Sequence, residues 1–210
     1  MVHRRELKGE AIVLGNQGAL WGNAMTWWDH ETGSIWSQPL GEAIAGPLKG
    51  EKLELLSVSL NDWSTWKADH PNTLALDVSV NGPGGFDLQR MAIVIDFGSE
   101  AVAYPVPDLQ QQVLVNDIVA GVAVAVVTDP TEPDAWVVFS RVLDDRTVTL
   151  AVDGDTIVDL ETGTVWDPVI GLGLSGPLEG ERLDVLPAFT SFPKDFFTFW
   201  PDGRLWVPDA

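Results

Sequence analysis

The sequence predicts a mainly β protein: two related β-rich modules packed together, with one short helix per module. Two observations carry this. One block is written twice, Asp29-His30-Glu31-Thr32-Gly33-Ser34-Ile35-Trp36 returning as Asp159-Leu160-Glu161-Thr162-Gly163-Thr164-Val165-Trp166. From there an offset of 130 holds without a gap, through Gly46-Pro47-Leu48 and Gly176-Pro177-Leu178, Gly50-Glu51 and Gly180-Glu181, to Pro71 and Pro201. Glycines and prolines kept in register mean one backbone path built twice. The second observation is a succession of short β-branched or apolar runs bounded by turn residues, the signature of strands.

Upstream of the block, Val2-His3-Arg4-Arg5-Glu6-Leu7 resembles Val138-Phe139-Ser140-Arg141-Val142-Leu143 at an offset of 136, because the first copy carries six extra residues near Ala19 to Met25. The first copy therefore opens in mid-module at Met1, either shortened in this chain or preceded by further sequence. Residues 91–137 have no counterpart in it. The modules are expected at 1–82 and 83–210, the second with 91–137 as an additional strand-rich segment.

Strands are expected at 11–14, 53–58, 73–78, 91–97, 113–115, 122–128, 135–139 and 147–152. The runs Met91–Ile95 and Val122–Val127 are nearly unbroken apolar stretches, which suits strands covered on both faces. Ala120-Gly121 would close a hairpin between 113–119 and 122–128. Each Glu-Thr-Gly reads as a three-residue hairpin loop, with Gly33 and Gly163 at positive φ. A short helix is expected over Asn61–Asp69, capped by Asn61 or Asp62 and stopped by Pro71. The matching place in the second copy, Ser191–Trp200, offers a capping Ser191 and an early Pro193. Asp108–Gln112 suggests one more turn. Asn81–Gly85 is the best linker, and Thr128–Asp134 a rigid polar loop.

Composition excludes several classes. The net charge is −19, and of 31 acidic residues only five fall in the first 50 positions. Nucleic-acid binding needs clustered Lys and Arg and is disfavoured, as are anionic membrane surfaces. No apolar run approaches the roughly 18 residues of a membrane span, so this chain is not expected to insert in a membrane. No leader pattern is visible at the start. Cysteine is absent, which removes disulfides, thiolate ligands and a cysteine nucleophile.

No catalytic signature is present: no Gly-x-Ser-x-Gly elbow, no phosphate loop, no His-Glu-x-x-His. No cofactor or metal site is read from the motifs. The three histidines, His3, His30 and His70, all lie in the first copy; a metal site would need them to converge. Asp29 and Glu31, repeated as Asp159 and Glu161, resemble an acid/base pair, but at a predicted turn such carboxylates more often satisfy backbone donors. Of ten tryptophans, six are in the first copy. Trp36 and Trp166 recur in register and are expected in the core. Trp27 and Trp28 are adjacent on a strand, so one of them should face solvent.

The run Trp28–Gln38, followed by Gly41-Glu42-Ala43-Ile44-Ala45-Gly46-Pro47-Leu48 and by Trp63, Trp66 and His70-Pro71, resembles the hallmark of the domain of unknown function 3179 family. In the second copy Ala103-Tyr104-Pro105, Val115-Asn116-Asp117 and the Asp159–Trp166 block are similar to it as well. The resemblance covers nearly the whole chain. It implies a β-rich prokaryotic protein, often secreted or membrane-anchored in relatives, and no established activity. Relatives usually carry a cysteine-containing segment upstream of the module; Val126–Thr131 holds that place in the second copy, without cysteine.

Two readings of function follow. The leading one is a non-enzymatic binding or scaffold module for a small molecule or protein, with its surface on the first copy around Asp29, His30, Glu31, Trp36, Gln38 and His70. The second copy places Pro168, Trp200 and Leu160 where the first has Gln38, His70 and His30, so any exposed polar surface belongs to the first. The alternative is a hydrolase or metal-dependent enzyme using the Asp29/His30/Glu31 region. Convergence of those side chains in one pocket would favour the enzyme.

Overall fold

The computed structural model describes residues 1–75, 88–129 and 135–208. The expected linker at 81–85, the module boundary at 82/83, and parts of the expected 73–78 strand and 128–134 loop lie outside the described residues.

The first module runs β1 (Glu6–Leu7), β2 (Glu10–Ala11), β3 (Leu14–Trp21), β4 (Ala24–Asp29), β5 (Ile35–Ser37), β6 (Glu42–Ala45) and α1 (Trp63–Asp69). After a 3-10 turn at Leu88–Arg90 come β7 (Ala92–Asp96), β8 (Ala101–Pro105), α2 (Val106–Gln112), β9 (Leu114–Val119), β10 (Val122–Thr128) and β11 (Trp136–Ser140). The second copy follows: β12 (Val142–Leu143), β13 (Arg146–Thr147), β14 (Leu150–Asp153), β15 (Thr156–Asp159), β16 (Val165–Trp166), β17 (Gly173–Ser175), β18 (Phe189–Ser191), α3 (Pro193–Phe199) and β19 (Arg204–Leu205).

The repeat is structural. The hairpin β1–β2 and the antiparallel sheet β3-β4-β5-β6 return as the hairpin β12–β13 and the sheet β14-β15-β16-β17. Isolated bridges recur too, His3 to Leu55 and Phe139 to Val185. Two further sheets, β11-β10-β9 and β18-β7-β8-β19, have no counterpart among the described residues of the first copy; in the latter β19 runs parallel to β8.

These sheets explain the unbroken apolar runs. Along β7, Ile93 and Ile95 pack into one cluster with Val124, Val126 and Val138, while Ala92 and Val94 pack into another with Phe189, Phe196 and Trp200. Along β10, Val124 and Val126 join the first cluster, and Ala125 and Val127 face a third with Phe139, Ile157 and Trp166. A strand sandwiched between two layers has no solvent face, so the period-2 alternation disappears.

Three expectations change. Residues 53–58 form no strand: Leu53 N–H donates to the Gly41 carbonyl on one side and Leu56 N–H to the Val2 carbonyl on the other. Each contact is a single isolated bridge, Lys52 to Glu42 and Leu55 to His3, and a segment that makes one bridge with each of two different neighbours crosses the module instead of extending a ladder. Ser191 does not cap α3; it pairs with Ala92 in β18, and Phe192 stands at the N-cap without a side-chain bond. The second module also holds two helices, because 106–112 completes two turns. At α1, by contrast, the Asp62 carboxylate accepts from the N–H groups of Ser64 and Thr65, as a cap should.

The six extra residues lengthen the β3–β4 hairpin into an arm that touches the second copy. Trp21 meets Phe199 edge-on at 5.5 Å, and Asn23 Nδ2 donates to Asp195 Oδ1 at 3.1 Å.

Candidate functional site

The Glu-Thr-Gly turns are built around a buried aspartate. β4 delivers Asp29 and β5 returns Trp36, both sealed from solvent. Trp36 Nε1 donates to Asp29 Oδ2 at 2.9 Å, and Thr32 donates to Oδ1 through its N–H at 2.6 Å and its hydroxyl at 2.8 Å. The second copy repeats the set, with Trp166 Nε1 to Asp159 at 3.0 Å. Burial pushes both carboxyls up, but the indole and threonine donors outweigh it and hold each below the ordinary carboxylate range. The turn is longer than the expected three residues: five, 30–34, separate β4 from β5, closed by Gly33 N–H on the Asp29 carbonyl and Asp29 N–H on the Ser34 carbonyl. The glycines are at φ 69° and 73°.

The other carboxylate of each pair is engaged by backbone. Glu31 accepts from Val13 N–H at 3.2 and 3.3 Å, and Glu161 from Thr149 N–H, its equivalent, at 2.6 Å. Asp29 and Trp36 therefore lie in the interior, not on a binding surface, and Asp29 is no free acid or base.

Of the remaining candidates, His30 is exposed and stacks on Trp28 with ring centroids 4.3 Å apart and an 8° tilt. Gly15 on the neighbouring strand leaves room for this: a Cβ there would stand 2.7 Å from Trp28 Nε1. Trp27 points inward, against the cluster of Ile12, Trp36, Ala43 and Leu53. Gln38 is half-buried, and its carbonyl accepts from His3 Nε2 at 2.9 Å. His70 is exposed at the end of α1, its ring 3.9 Å from that of Trp66 and its Nε2 3.3 Å from Asp69. The histidines thus belong to three different local environments. Among the described residues no group of three His, Asp or Glu side chains is placed to hold a metal ion. No described helix is long and apolar enough to cross a membrane.

The helices differ more than their sequences suggest. α3 buries Phe196, and Trp200 after it stacks on Phe196 at 5.4 Å and donates Nε1 to Asp96 at 2.8 Å. The positions equivalent to these two are Trp66 and His70. Yet α1 buries no residue, and Trp63 and Trp66 remain 49% and 40% exposed.

A polar cluster in the second module was not singled out from sequence. Tyr104 Oη donates to Asp117 at 2.6 Å, Arg204 bridges Asp117 at 2.9 Å and Glu100 at 3.3 Å, and Glu100 accepts from Ala120 N–H at 2.6 Å. Next to Asp117, the Asn116 amide bonds both the carbonyl and the N–H of Leu150, as a strand would. Tyr104, Asn116 and Asp117 all stand in motifs quoted for the family resemblance, and here they clasp β8, β9, β14 and β19 together. The tyrosine and the aspartate were visible as motif residues; their contact was not.

Comparison with protein families matches residues 1–83 and 84–209 to one family, described as protein of unknown function (DUF3179), one segment for each copy. Comparison with curated proteins and with solved structures finds no match. Over both modules, the chain belongs to the DUF3179 family.

Proposed function

We propose that the chain is a non-enzymatic binding module whose recognition surface is the aromatic face of the first copy, centred on α1. One observation carries this reading: the inequality of the two helices. The described residues hold two copies of the helix and one copy of the sheet that covers it. β7 and β8 receive Phe196 and Trp200 from α3, while Trp63 and Trp66 on α1 stay half in solvent. Large aromatics left in solvent contribute little to folding and are the side chains that dominate recognition surfaces. His70 extends this face by stacking on Trp66. The Trp28–His30 stack adds a second exposed pair, where the second copy has Val158 and Leu160. With a net charge of −19, the partner is neutral or basic.

The test is affinity capture with the whole chain, parent against Trp63→Ser/Trp66→Ser. The expected result is an unchanged melting temperature and loss of the captured partner. A partner kept by that variant but lost from Trp28→Ser/His30→Ser would move the site to the β3–β4 hairpin. Turnover of ester, glycoside or peptide substrates that disappears in Glu31→Gln or His70→Ala would replace the binding reading with catalysis.

A further inference from the structure

We infer that the groove between α1 and the second copy is a site for a neutral sugar ring, a role that rests on the α1 face being a recognition surface. The groove measures about 240 Å³. That is below the roughly 300–1,000 Å³ of drug-sized pockets and suits one small ring. Trp66, Asp69 and His70 form one wall, and Val169, Ile170 and Arg182 of the second copy form the other.

Arg182 points to a ligand. It holds the position of Lys52, and both residues make the same isolated bridge, Lys52 with Glu42 and Arg182 with Leu172. In the first copy Glu42 neutralises Lys52 at 3.3 Å. In the second copy that carboxylate is a leucine, and Arg182 is in no ion pair with a described residue. Its Nη1 donates to the Ile170 carbonyl at 3.3 Å, which holds the guanidinium against a residue of the groove wall. The other N–H donors of the fork remain for a bound molecule. On the opposite wall the Asp69 carboxylate meets only His70 Nε2, at 3.3 Å. The Trp66 indole is fixed beside it, with Nε1 donating to Thr73 Oγ1 at 3.1 Å and the ring against that of His70. Trp66 is nonetheless 40% exposed, so it offers the groove a rigid apolar plate.

These groups select a class of ligand. A guanidinium only donates and a carboxylate only accepts, whereas a hydroxyl does both. An anion would suit Arg182, but Asp69 shares the lining, and Asp144, Glu181 and Asp184 border the next hollow beside Arg182. A cation would suit Asp69 but meets Arg182. A neutral ring of adjacent hydroxyls serves both walls, and its C–H face packs on the indole. The net charge of −19 disfavours a free anion as well. A second hollow, of about 420 Å³, shares Trp66, Asp69 and His70 on the side of Pro71 and Asn72. It leaves room for a second ring to follow the first.

The experiment titrates the isotopically labelled whole chain with the methyl glycosides of glucose, galactose, mannose and N-acetylglucosamine. It follows the Trp66 indole N–H resonance, identified by its absence in Trp66→Phe, and measures affinity by calorimetry. At least one glycoside is expected to move that resonance saturably. The uronic acid and the amino sugar of the same ring should bind at least tenfold more weakly. Arg182→Leu and Asp69→Leu should each weaken binding at least tenfold at an unchanged melting temperature, since both side chains are exposed. Should Arg182→Leu melt lower, Arg182→Lys carries the test, because it keeps the charge and loses the fork. A disaccharide that binds at least tenfold more tightly than its methyl glycoside marks the end of a glycan as the ligand, and equal affinity marks a free sugar. No saturable shift with any of the four, or binding that survives both substitutions, overturns the proposal. So does equal or tighter binding of the charged sugars, which would make the groove an ion site. A protein partner lost from Trp63→Ser/Trp66→Ser but kept by Arg182→Leu, with no glycoside bound, would leave the α1 reading standing without this one.

Discussion

An aspartate sealed beside an indole stays ionised only because donors surround it. Asp29 and Asp159 each hold a tryptophan N–H and a threonine N–H and hydroxyl. Replacing either with Ala leaves those donors buried without an acceptor, at a cost of about 2–3 kcal/mol. Their folded pKa values lie below that of an unfolded aspartate, about 4. Their stabilising contribution is therefore present above that pH and is lost as the pH falls through the folded values. The double variant Asp29→Asn/Asp159→Asn should be less stable than the parent at neutral pH and lose less stability on acidification. Urea melts at several pH values measure this, and an acid profile identical to the parent's would clear both carboxylates. His3 obeys the opposite chemistry with the same sign. Burial lowers its pKa, although its bond to the Gln38 carbonyl favours the charged form. The neutral ring is compatible with the fold above the unfolded value of about 6.5, and stability falls as the pH drops through the folded value. Phe139 occupies the equivalent position, fully buried, and lies as close to Gly171 as His3 does to Gly41, 2.7 Å from a Cβ at either glycine. His3→Phe should abolish the loss of stability that His3 causes as the pH falls below about 6.5; a loss that persists in the variant would assign it to another group.

At the scale of elements, the two Glu-Thr-Gly turns rest on backbone conformation alone. A Cβ added at Gly33 or Gly163 meets nothing within 4 Å, so any cost of substitution comes from the positive φ. Gly33→Val and Gly163→Val should each destabilise by roughly 1–3 kcal/mol, and Gly33→Asn by clearly less, because Asn tolerates the left-handed region. Melts that place Val and Asn level would remove the conformational account. These turns were legible in the sequence because their determinants are local: a glycine at a fixed place, repeated. The paired strands β9 and β10 were legible for the same reason, since Ala120-Gly121 sits between two apolar runs. What depends on distant partners was not. Residues 53–58 look like a strand, but their neighbours are 41 and 2, on opposite sides. Asp29 was legible as a turn carboxylate that accepts a backbone N–H, but its bond to Trp36 was not, although the Asp-to-Trp spacing, identical in both copies, held the signal that the two residues are bonded. The Tyr104–Asp117–Arg204 clasp and the groove between Trp66 and Arg182 join residues far apart in the chain, and no spacing rule reaches them.

At the scale of the molecule, the modules share more than a linker. Leu60 and Trp136 pair across the seam, and the β3–β4 arm lays Trp21 on Phe199 and bonds Asn23 to Asp195. Met1, Leu40 and Leu55 of the first module pack against the cluster of Ala92, Val94, Phe189 and Phe196 in the second. That cluster is the layer under α3, so its stability depends on side chains from both copies. A core completed by two modules cannot melt in halves at separate temperatures, because opening one exposes the apolar face of the other. The whole chain should therefore unfold in a single calorimetric transition whose van't Hoff and calorimetric enthalpies agree. Leu55→Ala, although it lies in the first module, should lower that one transition by an amount typical of a partly buried leucine, about 1–3 kcal/mol, without splitting it. Residues 83–210 expressed alone should melt below the whole chain, having lost Leu40 and Leu55 from this layer and the arm from α3. Two resolved transitions, with Leu55→Ala moving only the lower, would mean that the seam is a contact between independent domains and that the shared layer does not couple them.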